Sequence, residues 1–260
     1  MATTIATLYR YPVKGLSPEP LARVRLSPGE CLPEDRRFAV ALASTRFDPE
    51  RPEWLAKTHF AMLMRDEKLA RLNTRFDAAT AELTIVQDGR VVLRASLTEP
   101  AGRAAIGDFL GGFLGDSVAR PLRIVAAPGH AFADARRKPN ASTDKYVSLI
   151  NLHSIAALAV KMAATIDPLR FRANVYFTGD APAWRELGWL GATLKIGATR
   201  LRVISAITRC AATQVNPVTA ARDLDVPAAL VREFGHNLMG IYAEVVTGGD
   251  IAVGEAIDIV

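Results

Sequence analysis

The residue best placed to do chemistry in this sequence is one cysteine in a polar, cationic setting. Thr208-Arg209-Cys210-Ala-Ala-Thr213, then Asn216-Pro217, follows directly on a strongly apolar stretch. A cysteine at the end of a strand lies where loops commonly carry sites. Arg209 and the polar neighbours favour the thiolate, the form that attacks electrophiles and holds soft metals. Taken alone, the segment also suits a small buried hydrophobe, the usual state of an unpaired cysteine. Cationic side chains fall where turns would expose them. Lys14 and Gly15 close Tyr11-Pro12-Val13-Lys14-Gly15, Arg36 and Arg37 lie in Asp35-Arg36-Arg37-Phe38, and Arg172 stands in Phe171-Arg172-Ala173-Asn174. Each one singly reads as solvated, but rigid Arg forks and a Lys together suit an anionic ligand rich in hydrogen-bond acceptors. The second cysteine, Cys31, sits in a turn with no partner spaced to use it. His59 and His130 read as surface residues that could at most shuttle protons.

Positioning these groups requires strands. Ile5–Tyr11, Leu21–Leu26, Phe38–Ala43, Lys68–Phe76, Glu82–Gln87, Val91–Leu97 and Pro121–Ala126 read as strands from their alternation or apolar runs. Asp88-Gly89 is a hairpin signal, and Asp77 to Thr80 supplies another turn. Ala101–Leu114 has helical spacing at Ala105, Phe109 and Phe113, weakened by Gly107, Gly111 and Gly112. Pro128 to Thr143 reads as a long polar loop. Beyond it, strands are expected at Tyr146–Ile150, Phe171–Phe177, Ala192–Ile196, Arg200–Ala206, Gly240–Val246 and Glu255–Ile259. Helices are expected over His153–Ala164, capped by Ser154, and over Pro227–Phe234. Many short strands with few helices imply an α+β, strand-rich, barrel-like architecture. No βαβ alternation with a glycine-rich nucleotide turn is evident.

Composition bounds the rest. The chain has 260 residues, 50% hydrophobic and 23% charged, enough for one large domain or two intimate ones. The net charge of +5 is scattered, apart from Arg36-Arg37 and Arg136-Arg137-Lys138. Without a nucleic-acid motif it fits a solvated surface or a small-anion pocket at least as well as nucleic acid. No apolar run approaches the roughly 20 residues of a membrane span, and no secretory signal is visible, so a cytoplasmic location without membrane contact is expected. Two cysteines with no C-x-x-C pair offer neither a disulfide framework nor a zinc or iron–sulfur ligand set.

The ordered set Tyr11-Pro-Val-Lys14, Asp35-Arg36-Arg37-Phe38, Phe171-Arg172-x-Asn174, Thr208-Arg209-Cys210-x-x-Thr213-x-x-Asn216-Pro217 and Gly240-Ile-Tyr242 with Gly254-Glu255 resembles the MOSC-domain proteins. The resemblance runs nearly end to end and includes that family's amino-terminal β-barrel region. It implies a β-barrel region over 1–120 and a MOSC domain over 121–260. The family is similar to the mitochondrial amidoxime-reducing component and its bacterial relatives, which bind molybdenum cofactor. That likeness makes Cys210 the catalytic residue and metal ligand, its thiolate sharing the molybdenum with the pterin's two dithiolene sulfurs. It gives Lys14, Arg36 and Arg172 to the pterin and its phosphate, and Thr208, Arg209 and Tyr242 to the cofactor's lining. Gly15 stands where relatives commonly have Ser, and Asn174 keeps the pattern in a supporting role. Ser142-Thr143-Asp144-Lys145 replaces a Thr-Ser pair in uncertain register. The implied activity is reduction of N-hydroxylated compounds or N- or S-oxides. Electrons would come from a separate donor protein of ferredoxin, flavoprotein or cytochrome type, because no cysteines remain for a ferredoxin-like domain. The alternative is a carrier of the cofactor, or of sulfur on Cys210, without turnover.

Overall fold

A computed structural model describes residues 2–134 and 145–260. Arg136-Arg137-Lys138, Ser142-Thr143-Asp144 and most of the expected 128–143 loop lie outside those residues. In chain order the strands and helices are β1 (Thr4–Arg10), β2 (Glu19–Leu21), β3 (Arg23–Leu26), β4 (Ala39–Ala41), β5 (Leu72–Asp77), β6 (Glu82–Gln87), β7 (Arg90–Ser96) and α1 (Pro100–Leu114). They continue as β8 (Arg123–Val125), β9 (Val147–Asn151), α2 (Leu152–Met162), β10 (Val175–Thr178), β11 (Thr193–Ile196), β12 (Thr199–Thr208), α3 (Val226–Phe234), β13 (Leu238–Thr247), β14 (Gly249–Ala252) and β15 (Asp258–Ile259).

The fold is strand-rich α+β with a curled, half-barrel sheet of eight strands in the order β15-β11-β12-β13-β9-β10-β1-β2. Its centre is apolar on both faces. Val147, Leu149, Val175 and Phe177 enter one core with Ile5, Leu8, Leu201 and Ile241, while Ile150 and Tyr176 enter another under α2 and α3. Burial on both sides explains why every residue of β9 is buried, and the α2 crossover lets β10 pair with it in parallel. One βαβ unit, β9-α2-β10, therefore exists, without a glycine-rich turn. Asn151 caps α2 by accepting from the His153 N–H at 3.0 Å. Ser154, the expected cap, is buried instead and donates to Glu186 at 2.8 Å.

A third core joins β4–β8 to the meander β5-β6-β7 and α1. Asp88 and Gly89 take φ of 50° and 76°, the left-handed pair that a tight hairpin between β6 and β7 needs. Helix α1 forms where expected but buries Ile106, Leu110 and Leu114; Ala105 is exposed, and Phe109 and Phe113 are only partly buried. Gly107 is on the buried face because a Cβ there would stand 2.3 Å from the Leu122 carbonyl oxygen. Gly107, one of the glycines that weaken helix propensity, is what lets α1 approach the chain before β8 so closely.

Local sequence also misplaced some strands. Lys68–Arg71 belongs to a short 3-10 turn, Glu67–Arg71, that buries Leu69 ahead of β5. Phe171 ends another such turn and Arg172 is left-handed at φ 54°, so the following strand begins only at Val175. Leu21–Leu26 divides between β2, paired with β1, and β3, paired with β14, a strand not foreseen. Among the described residues no helix is long and apolar enough to cross a membrane.

Candidate functional site

Strand β12 runs antiparallel to β13 and ends at Thr208, delivering Arg209 and Cys210 to the mouth of a cleft of about 600 Å³. Cys210 is half-buried with extended backbone, and its carbonyl accepts from both the N–H (3.0 Å) and the hydroxyl (2.9 Å) of Thr213. The backbone of Cys210 is thus fixed by a closed turn, and the residue is not fully buried. All nine sequence-derived candidates line this cleft: Lys14, Gly15, Arg36, Arg172, Asn174, Thr208, Arg209, Cys210 and Tyr242.

The cationic wall is built around Tyr11, which is fully buried and donates its hydroxyl to the Ala173 carbonyl at 3.2 Å. The guanidinium carbons of Arg36 and Arg172 lie 4.5 and 4.4 Å from its ring centroid. Arg36 is anchored by an ion pair with Asp35 and donates to the Arg172 carbonyl at 2.8 Å. The Arg172 guanidinium donates to no described residue, although burial and then the neighbouring Arg36 pull its pKa down to about 10. A partly exposed guanidinium that is repelled by a neighbouring cation and faces a cleft fits an anion. Lys14 is buried, donates to the Phe132 carbonyl at 2.9 Å and pairs with Asp134. Burial lowers its pKa, which Asp134 opposes. Gly15 has φ 85°, a left-handed conformation that favours glycine.

Two candidates have polar groups committed inside the protein. Arg209 donates to the Met239 carbonyl from Nε (2.9 Å) and to the Phe171 carbonyl from Nη1 (3.0 Å). Asn174 Oδ1 accepts from the Ser148 N–H (3.1 Å) and hydroxyl (2.8 Å), and its Nδ2 donates to the Tyr9 carbonyl at 3.2 Å. Both tie cleft walls together. Tyr242 stands on β13 opposite Ser205, its ring 5.9 Å from that of Tyr146, and burial raises its pKa.

Sequence reasoning missed Lys57, Arg170, Asp134 and the Met62-Leu63-Met64 segment, all of which line the cleft. Lys145 was noted only in a stretch of uncertain register. Seven Lys or Arg against two Asp face the space, a balance hidden because these residues are scattered along the chain. Cys31 lines it too, but burial and then Asp35 push its thiol up to about 12, which keeps it protonated. His130 is no surface residue: it is buried against Phe47 and Phe132 and lines a separate cleft, while His59 is exposed. Among the described residues no group of three or more His, Cys, Asp or Glu could hold a metal ion. The thiol of Cys210 and the surplus of cationic side chains around it fit an anionic group that carries a soft metal.

The sequence matches the model of the MOSC domain family over residues 130–258. That family is associated with molybdenum-cofactor binding or sulfurase function. No curated protein matches the chain. Among solved structures it is similar to the YuaD protein from Bacillus subtilis, at 14% identity, covering 100% of this chain and 96% of that one with a TM-score of 0.45. It is also similar to YiiM from Geobacillus stearothermophilus, at 17% identity, covering 44% of this chain and 53% of that one with a TM-score of 0.35.

Proposed function

We propose, from the premise that this is a MOSC-domain protein, that it holds molybdenum cofactor at Cys210 and reduces N-hydroxylated compounds or N- or S-oxides. Electrons would come from a separate donor protein of ferredoxin, flavoprotein or cytochrome type. The observation that carries this reading is the convergence of a half-buried thiol, Lys14, Arg36 and Arg172 on one cleft. Cys210 is the thiolate a soft metal takes, Arg172 presents a donor fork to a phosphate, and Arg36, whose terminal nitrogens bond Asp35 and the Arg172 carbonyl, adds positive charge beside it. Arg209 and Asn174 act as struts that fix the walls, and Thr208 and Tyr242 face the bound molecule beside the sulfur. When bound, the cofactor supplies two-electron redox chemistry. Overall, an N–OH group, two electrons and two protons give N–H and water. We keep the division into 1–120 and 121–260 as a proposal about sequence units, since β1 and β2 pair into the main sheet.

The test is turnover. Protein from a host that makes the cofactor is reduced with dithionite and a viologen, then given benzamidoxime as probe. Amidine formation by wild type and none by Cys210→Ser supports a reductase. No product from protein carrying pterin and molybdenum would instead favour the carrier. A persulfide on Cys210 in metal-free, inactive protein would point to sulfur carriage.

A further inference from the structure

The Cys210 turn and the apolar wall facing the same cleft are tied together by one side chain. Arg222 Nη1 donates to the carbonyl of Ala211, the residue after Cys210, at 3.2 Å. Its Nη2 reaches across to the carbonyls of Leu63 (3.3 Å) and Met64 (2.9 Å) and to Glu67 Oε2 (3.0 Å). Both ends of this span are stiff. Asn216 accepts from the Val218 and Thr219 N–H groups at 2.9 and 3.1 Å, folding the loop that returns Arg222 to its bridge with Val215. On the far side, buried Asp66 accepts the Met62 N–H at 3.0 Å and closes the turn carrying Leu63 and Met64. Carbonyl oxygens bonded to a charged donor resist displacement more than neutral pairs do.

We propose that Arg222 is a positioning residue that clasps the Met62-Leu63-Met64 wall to the Cys210 turn and so sets the size of molecule that reaches the thiol. The clasp stands whatever Cys210 binds. That the molecules selected are apolar bodies of N-hydroxylated substrates rests on the proposed function.

The test reads access to sulfur directly. The full chain carrying Cys31→Ser is made in a host without pterin synthesis and reduced with dithiothreitol, which also strips any persulfide, so Cys210 is a free thiol under each functional reading. Its alkylation rates with iodoacetamide and with bulky N-pyrenylmaleimide are measured by mass spectrometry. Arg222→Ala should raise the bulky-to-small rate ratio by about fivefold or more, as expected when a local contact opens, and Arg222→Lys should fall between. An unchanged ratio in folded Arg222→Ala, or equal acceleration of both reagents, overturns the proposal. Should Arg222→Ala not fold, Met64→Ala with Arg222 intact must raise the ratio in the same sense, and failure to do so is equally decisive. Metal content plays no part, so this result and that of the functional test fail separately.

Discussion

Arg172 concentrates the electrostatics of the cleft. Its backbone is left-handed at φ 54°, its guanidinium shares the Tyr11 ring with Arg36, and burial beside that second cation draws its pKa to about 10. A bound phosphate would relieve the repulsion and accept from the guanidinium. Removing such a charge-assisted contact is worth about 1.5–3 kcal/mol, or roughly 10- to 100-fold in retention. Arg172→Ala is thus expected to release pterin on gel filtration where wild type keeps it, and Arg172→Lys to recover only part, because Lys lacks the fork. Equal pterin per chain in all three would remove Arg172 from the site. The sequence singled out Arg172 as a candidate but placed it at the head of a strand. Its left-handed φ follows from the short turn Pro168–Phe171, which alternation does not reveal. Arg209 and Asn174 were legible as motif residues and not as struts, since their acceptors lie as far off as Met239 and Tyr9.

At the level of elements, strand positions were largely legible while faces and caps were not. Helix α1 was read from its phenylalanines, yet its contact face is the row Ile106, Leu110 and Leu114, and a glycine shares that face because the Leu122 carbonyl comes close. Gly107→Ala puts a methyl 2.3 Å from that oxygen. It should cost about 1–3 kcal/mol in urea unfolding, as overpacking does, against the gain that alanine brings to an open helical site. Ser154 looked like a cap but serves Glu186, a fully buried carboxyl whose pKa burial raises above its usual 4.5. The sign follows from linkage: the folded state holds this proton more tightly, so the contribution is full below the unfolded value near 4.5 and is lost as pH rises through the folded pKa. Glu186→Gln cannot lose a proton. The melting temperature of the variant relative to wild type should therefore climb with pH above 4.5 and level off above the folded pKa. A flat difference from pH 4 to 8 would mean that Glu186 is not destabilised by ionisation.

Across the whole molecule, the site depends on pairings between distant parts of the chain. β1 pairs with β10, and β3 with β14, so the turn that carries Lys14 is brought against the loop that carries Arg172. Single-sequence patterns give strands but not their partners, so the meeting of Lys14, Arg36, Arg172 and Cys210 was legible only through resemblance. The sheet order and the cleft's apolar wall were legible by neither route. A half-buried cysteine among so many cations has one decisive assay. Wild type and Cys210→Ser are purified without air from a host making molybdenum cofactor, and molybdenum and pterin are counted per chain. Near-stoichiometric metal in wild type, with less than about a tenth of that in a folded Cys210→Ser, is the outcome expected when one thiolate is the protein's only bond to the metal. Equal metal in both proteins, or none in wild type under those conditions, would contradict it.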